Sequence, residues 1–519
     1  MKNNKKNNTN IIGNAFSLTL STLIVKLLGV VYKIPLTQFL GEEGMGYFNS
    51  AYTIYALFYI LCTAGVPKAV MIFISEHDTD RDKIIRVGMR TFLYLGIALS
   101  IGFVIFSAPI SRLIGNSGAY ATMLTLAPSI IFISLSGVLR GVLSADMKFK
   151  HIAVSQIIDG ATKLALGLAF AIMATKLECS LIMISAFTML GVTLGSFAGL
   201  VYLLSVSKSD ITSNKSKQIS VWERKEINRR IFRISIPITA SAAIMSITSI
   251  IDLTMGMRRL THAGYTETEA VSLYGNFTTL ALPIFNLAIS IIAPISITFL
   301  PIYTSALATC KNTTLHSSIA SSLELSAFFS APILIGTLFY AKQILSLLFG
   351  DIGIELGASL LRLLIFGIIF MSSLLIINSV LEAGGKVKTP LIAMSIGSIA
   401  KIIVSYLLIG NAEFGISGAP IGTVISYAVS LMVSLTIFTH KLGYFPPIIQ
   451  SSLPAYSCAF LAVSISTLPY KLMIGHISST LLTLIAIAIS ALLYITLCFI
   501  LGIFSKQKLI EVSKYTKST

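Results

Sequence analysis

The chain has 519 residues, of which 55% are hydrophobic and only 11% charged, with a mean hydropathy of +0.86 and a formal net charge of +17. Soluble globular proteins carry roughly a quarter charged residues, so this composition excludes one and identifies an integral membrane protein. A basic total can mark nucleic-acid binding, but here the cations are spread over short loops between apolar runs, and no nucleic-acid partner is expected.

About 20 apolar residues suffice to cross a bilayer. Fourteen such spans are expected, near residues 12–38, 46–73, 87–110, 119–140, 152–175, 180–204, 230–254, 273–302, 319–341, 357–381, 389–410, 415–438, 450–468 and 479–503. The tail at 1–11 is hydrophilic and lacks the layout of a cleavable signal peptide. Span 1 contains "STLIVKLLGVVYKIPL", in which Lys26 and Lys33 are seven residues apart and share one helical face with Thr22. A lone cation at mid-membrane costs about 2.5–3.5 kcal/mol, so Lys26 is expected to line a polar cavity, with Lys33 nearer the outer end. Span 5 holds Asp159 one turn before Lys163, which allows an intrahelical pair. Span 6 carries Gly191, Gly195 and Gly199 at spacings of four, a close-packing pattern.

The polar segment 205–229 separates the first six spans, 12–204, from the next six, 230–438. Span 7 has Asp252 on a polar stripe, followed by Arg258 and Arg259, and span 11 carries a mid-span Lys401. Pro35, Pro237, Pro283 and Pro294 predict kinks in spans 1, 7 and 8. Residues 439–503 form two further, almost wholly apolar spans before a short tail, 504–519. "KFKHIAVSQIIDGATKL" (148–164) and "KVKTPLIAMSIGSIAKI" (386–402) align without a gap and match Lys163 with Lys401. Six spans separate the copies, so both enter the membrane in the same direction, which is a parallel repeat. The expected fold is an all-α polytopic membrane protein of about fourteen transmembrane helices, with two six-helix lobes plus two C-terminal helices.

With the N-terminus inside, Lys and Arg crowd the cytoplasmic loops, and the opposite side keeps only Arg112, Lys176, Arg258, Arg259, Lys342 and Lys471. This bias places both termini in the cytoplasm. The five cysteines show no metal or disulfide spacing, and the acids are too few and too dispersed for a catalytic centre, so neither a metal site nor catalytic residues are expected. The candidate site is a cationic cleft between the lobes that uses Lys26, Lys33, Lys163, Lys401 and Arg258, supported by Asp159, Asp252 and Thr22.

"LGVVYKIPLTQFLGEEGMGYFNSAYTIYALFYILCTAGVPKAV" (28–70) and "GVLRGVLSADMKFKHIAVSQIIDGATKL" (137–164) resemble the polysaccharide-export branch of the multidrug/oligosaccharidyl-lipid/polysaccharide exporter superfamily, and within it the stage V sporulation protein B group, relatives of the lipid II flippase. The resemblance covers essentially the whole chain. It implies a flippase of the bacterial cytoplasmic membrane rather than an enzyme. The substrate would be a polyprenyl-pyrophosphate-linked cell-wall precursor, moved by alternating access for peptidoglycan or spore-cortex synthesis. It further implies Lys26 and Lys33 as headgroup ligands, spans 13 and 14 as a groove for the lipid tail, and drive from the membrane potential or an ion gradient without a cofactor. Membrane lipids and cell-wall synthesis proteins are the partners it implies. The family's additional arginines in spans 2 and 8 have no counterpart here, where Lys163, Lys401 or Arg258 would substitute. The alternatives are export of another lipid-linked polysaccharide unit and drug-cation antiport, the latter favouring a membrane-embedded carboxylate.

Overall fold

A computed structural model describes residues 2–76, 81–208, 220–386, 388–473 and 479–502, and in the first helix it describes side chains at 28, 29 and from residue 31 onward. Regular structure among these residues is wholly helical. The helices are α1 (Lys2–Thr63), α2 (Val66–Glu76), α3 (Arg81–Ile114), α4 (Ala119–Ala145), α5 (Phe149–Lys176), α6 (Leu181–Val206), α7 (Val221–His262) and α8 (Glu267–Asn276). A π-helical turn, Phe277–Ala281, leads into α9 (Leu282–Ala308), followed by α10 (Asn312–Phe349), α11 (Ile354–Ile365), α12 (Gly367–Ala383), α13 (Lys388–Ile409), α14 (Gly418–Leu442), α15 (Ile448–Met473) and α16 (Ser479–Ile500).

Among the described residues, 13 helical segments are long and apolar enough to cross a membrane, the first being Val31–Glu76. The expectation of about fourteen is close, because α1 is two helices joined end to end. Its backbone leaves helical geometry at Gly41 (φ 61°, ψ −167°), not at Pro35. Only glycine enters that region freely, since a Cβ would clash with the flanking peptide, so Gly41 sets the break between the first two spans.

The chain forms two compact units, Met1–Thr261 with Tyr265–Gly275, and His262–Gly264 with Asn276–Thr519. In the first, α5 packs on α6, α6 on α4, α4 on α3, and α1 on both α4 and α5. Its core includes Val70, Phe73, Ile84, Ile85, Phe92 and Val142, onto which Ile227 and Ile231 from the start of α7 are packed. In the second unit α13 packs on α14, α14 on α12, α12 on α9, and α10 on α11. The pairs α5–α6, α6–α4 and α4–α2 correspond span for span to α13–α14, α14–α12 and α12–α9, as a parallel repeat requires, while α7, which the sequence grouped with the second six spans, belongs to the first unit. Helices α15 and α16 have no counterpart in the repeat and pack on α10 and on each other. Tyr494 Oη donates to the Phe328 carbonyl at 2.8 Å, and Tyr340 Oη lies 2.9 Å from Ser466 Oγ, so hydrogen bonds as well as apolar contact hold them there.

The α5–α6 and α13–α14 pairs are closed by glycines. A Cβ on Gly191 would lie 2.5 Å from the Gly167 backbone, and one on Gly422 would lie 2.1 Å from Ser405 Oγ. Hydrocarbon offers no hydrophobic drive for helix association, so close backbone approach and dispersion contacts supply it instead.

Candidate functional site

The second half of α1 presents Phe48, Tyr52, Tyr55 and Tyr59 at spacings of three and four, which is one helical face. Their rings follow one another at centroid distances of 6.3, 5.8 and 6.3 Å. Across from them, α5 directs Lys163 so that its ammonium lies 4.6 Å from the centre of the Tyr52 ring and 5.5 Å from that of Tyr32. A cation over an aromatic face is held by the ring quadrupole, by about 0.5–2 kcal/mol depending on desolvation. Tyr32 reaches this place because Gly167 on α5 has no side chain: a Cβ there would lie 2.4 Å from Tyr32 Oη. Its hydroxyl then donates to the Thr188 carbonyl on α6 at 3.3 Å.

Lys33, on the first half of α1, donates to Asn49 Oδ1 on the second half at 3.0 Å. Its ammonium also lies within electrostatic reach of Lys163. Two amino groups held this close make each other's charged form costly, and an anion placed between them would relieve that cost.

Asp159 is the acid of the same cluster, within electrostatic reach of both Arg140 and Lys163. It fits against α6 at Gly195, where a Cβ would come 2.8 Å from Asp159 Oδ1 and 2.6 Å from its carbonyl oxygen. Arg140 is 9% exposed, and its buried Nε has no hydrogen-bond partner among the described residues. Arg140 is the last residue of the expected span 4 and was not among the sequence-derived site residues. The structure places it inside α4, between Gly137 and Gly141, which pack against the carbonyls of Cys62 and Pro67.

Further along the unit, Tyr274 of α8 hydrogen-bonds Thr53 and lies within electrostatic reach of Asp252 on α7. Thr53 in turn donates to the Asn49 carbonyl at 2.8 Å. The sequence-derived residues therefore divide. Lys33, Lys163 and Asp159 form one cluster with Asn49, Arg140 and the tyrosines. Asp252 lies beyond it on the Tyr274 side. Arg258 donates to the Leu113 carbonyl at 2.7 Å, at the last turn of α3. Lys401 belongs to the second compact unit, where its carbonyl lies beside Gly422. The side chains of Lys26 and Thr22 lie outside the described residues. No group of three or more His, Cys, Asp or Glu that could hold a metal ion occurs among the described residues.

The family described as polysaccharide biosynthesis protein matches residues 11–307, more than half of the chain. The chain belongs to this family. A second family, MatE, matches residues 237–407. Among curated relatives, the lipid II flippase MurJ of Bacillus subtilis is 21% identical over 537 residues, covering 96% of each chain. Stage V sporulation protein B of the same organism is 22% identical over 427 residues, 80% of this chain and 81% of that one. The solved structure of lipid II flippase MurJ in an inward closed conformation superposes with a TM-score of 0.70 at 19% identity, over 93% of this chain and 98% of that one. This polysaccharide biosynthesis protein therefore has the fold of the MOP superfamily, in a multi-pass membrane protein whose relatives include a lipid II flippase.

Proposed function

We propose that the protein is a flippase that moves a polyprenyl-pyrophosphate-linked cell-wall precursor of the lipid II type across the bacterial cytoplasmic membrane by alternating access, with both termini in the cytoplasm. The observation that carries this reading is the half-buried cluster of the first unit, where Lys33 and Lys163 stand within reach of each other beside a run of tilted tyrosine rings. A diphosphate needs convergent cations, and lysine meets it as a compact charge on a flexible stem. The sugars next to it offer C–H faces that lie well on aromatic rings. Lys26 joins the cluster in this reading on the strength of its shared face with Lys33. Spans 13 and 14 would carry the polyprenyl tail on their exposed apolar side, which includes Phe460, Leu461, Leu492 and Phe499. Substrate binding and release would be driven by the membrane potential or an ion gradient, and cell-wall synthesis proteins would be the partners that supply and consume the precursor.

A second reading, drug-cation antiport, has two observations in its favour: the MatE match and the membrane-embedded Asp159. The cations around Asp159 count against it, because they neutralise the carboxylate that a cationic drug would need. Expression in a strain depleted of its lipid II flippase separates the two readings. Restored growth with lipid II accessible at the outer surface supports the flippase. Growth failure together with resistance to cationic drugs supports the antiporter.

A further inference from the structure

The 42 residues of α7 make a helix about 63 Å long at 1.5 Å per residue, twice the roughly 30 Å of a hydrocarbon core. Its composition divides at Ile234. Of the thirteen residues from Val221 to Arg233, seven are charged and five of those are basic, whereas the next eighteen, 234–251, carry no charge. The first three turns, about 20 Å long, therefore run from the hydrocarbon boundary outward through the headgroup layer. One side of them is fixed, since Ile227 and Ile231 are buried in the core of the first unit, Lys83 Nζ donates to Glu223 at 2.7 Å, and Thr91 Oγ1 donates to Asn228 at 2.9 Å. The start of the helix is fixed as well: Ser220 Oγ accepts from the Glu223 amide at 3.1 Å, and Glu223 Oε2 accepts from the Ser220 amide at 2.8 Å, a reciprocal cap.

The opposite side carries Trp222, Lys225, Arg229 and Arg233 at spacings of three, four and four, one continuous and exposed stripe. Trp222 is the only tryptophan of the chain and is 74% exposed. The same face continues as exposed apolar residues at Ile236 and Pro237. Cations that give way to apolar surface within one turn match the change from anionic headgroup to acyl chain, and Trp222 closes the stripe at its other end.

We propose that this stripe is a binding site for anionic phospholipid headgroups, with Lys225, Arg229 and Arg233 contacting phosphate and Trp222 beside them at the outer end of the stripe. The proposal rests on the membrane-spanning fold and is independent of which substrate is transported. The test uses the full-length protein in nanodiscs, where the single tryptophan reports on its own. Brominated phosphatidylglycerol and brominated phosphatidylcholine are compared as quenchers of Trp222 at equal mole fraction in an otherwise zwitterionic bilayer. Phosphatidylglycerol is expected to quench more strongly. Lys225→Gln should weaken that preference by about fivefold, and the triple change Lys225→Gln, Arg229→Gln, Arg233→Gln should bring the two lipids together, since each basic residue at an anionic surface is worth about fivefold in partition. Equal quenching by both lipids in the unaltered protein, or a preference that survives the triple change, overturns the proposal. Displacement of phosphatidylglycerol by millimolar inorganic pyrophosphate also overturns it and reassigns the stripe to soluble polyphosphate.

Discussion

Gly195 offers the sharpest test of how the cluster is built. In the Gly195→Ala variant the new methyl carbon would lie 2.6 Å from the Asp159 carbonyl oxygen, 2.8 Å from Asp159 Oδ1 and 3.3 Å from Lys163 Cβ. The first of these partners is backbone and cannot rotate away, so α5 and α6 must separate by several tenths of an ångström. Overpacking of this kind costs about 1–3 kcal/mol. The variant should also push the Asp159 carboxylate away from its place beside Lys163. Two neighbours calibrate the effect. At Gly199 the nearest atoms would be 3.2 and 3.4 Å away, and at Gly102 nothing lies within 4 Å. Gly199→Ala should stay within about 1 kcal/mol of the unaltered protein, and Gly102→Ala should be neutral or slightly stabilising through helix propensity. Thermal unfolding in detergent reads the order, with Gly195→Ala lowest by a few degrees. Lipid II accessibility in the depleted strain reads the function, and it should fall further for Gly195→Ala than the stability loss explains. A Gly195→Ala protein as heat-resistant as Gly199→Ala would refute the packing argument.

Lys33→Ala and Lys163→Ala should each reduce flipping about tenfold or more, equivalent to about 1.4 kcal/mol of lost headgroup binding, and Lys26→Ala should abolish it; well-expressed variants with full activity in the accessibility assay would remove the lysines from the site. Burial alone would raise the Asp146 carboxyl, but the Arg81 guanidinium at 2.5 and 2.8 Å and the Lys148 ammonium at 2.9 Å hold it below the usual carboxylate range. That ion pair stabilises above about pH 4 and is lost as the pH falls through the lowered value, so Asp146→Asn should cost about 1 kcal/mol at neutral pH and nothing measurable in strong acid, as read by unfolding at the two pH values. Deleting residues 445–503 should abolish flipping while leaving the two-lobe core foldable, and normal transport by the truncated chain would exclude a role for spans 13 and 14. If cleft cations move in the field, each charge crossing it is worth about 2.3 kcal/mol per 100 mV, and ionophores should shift cysteine accessibility between the inward and outward faces.

Hydropathy made the spans legible, because a bilayer demands length and apolarity from every crossing segment regardless of neighbours. The repeat was legible as well, since matched lysines in helices of one direction survive where the surrounding apolar sequence has lost its likeness. Lys163 and Asp159 stood out as charges in an apolar run. Arg140 did not, because a cation near the end of a span reads as a loop residue when the contacts that bury it come from other helices. The glycines at 137 and 141 on either side of it were the available signal, as they let α1 and α2 approach the backbone around the arginine. The tyrosine face of α1 was also in plain view at 48, 52, 55 and 59, yet aromatic stripes in membrane helices more often pack on lipid or core. Only the Lys163 ammonium above Tyr52 distinguishes this stripe from packing. Gly191, Gly195 and Gly199 read as plain helix packing, and the packing is real, but what they pack against is the backbone that carries Asp159 and Lys163.

The repeat also shows where the two units part company chemically. Aligning 148–164 with 386–402 matches Lys163 with Lys401, and it matches Asp159 with Gly397. In the first unit the acid on α5 is admitted by a glycine, Gly195, on α6. In the second the arrangement is exchanged: the glycine is on α13, and a Cβ at Gly397 would lie 2.0 Å from Ser430 Oγ and 2.5 Å from the Ser426 carbonyl, both on α14. An aspartate cannot occupy position 397 without displacing α14. The scaffold is thus duplicated while the carboxylate is not, and the difference is fixed by which helix of the pair gives up its side chain. Asp159 among its cations gives the first unit a charge that a proton or an arriving anion can alter, and the position that matches it in the second unit, Gly397, carries no side chain. The asymmetry follows from two glycines placed on opposite partners of the same helix pair.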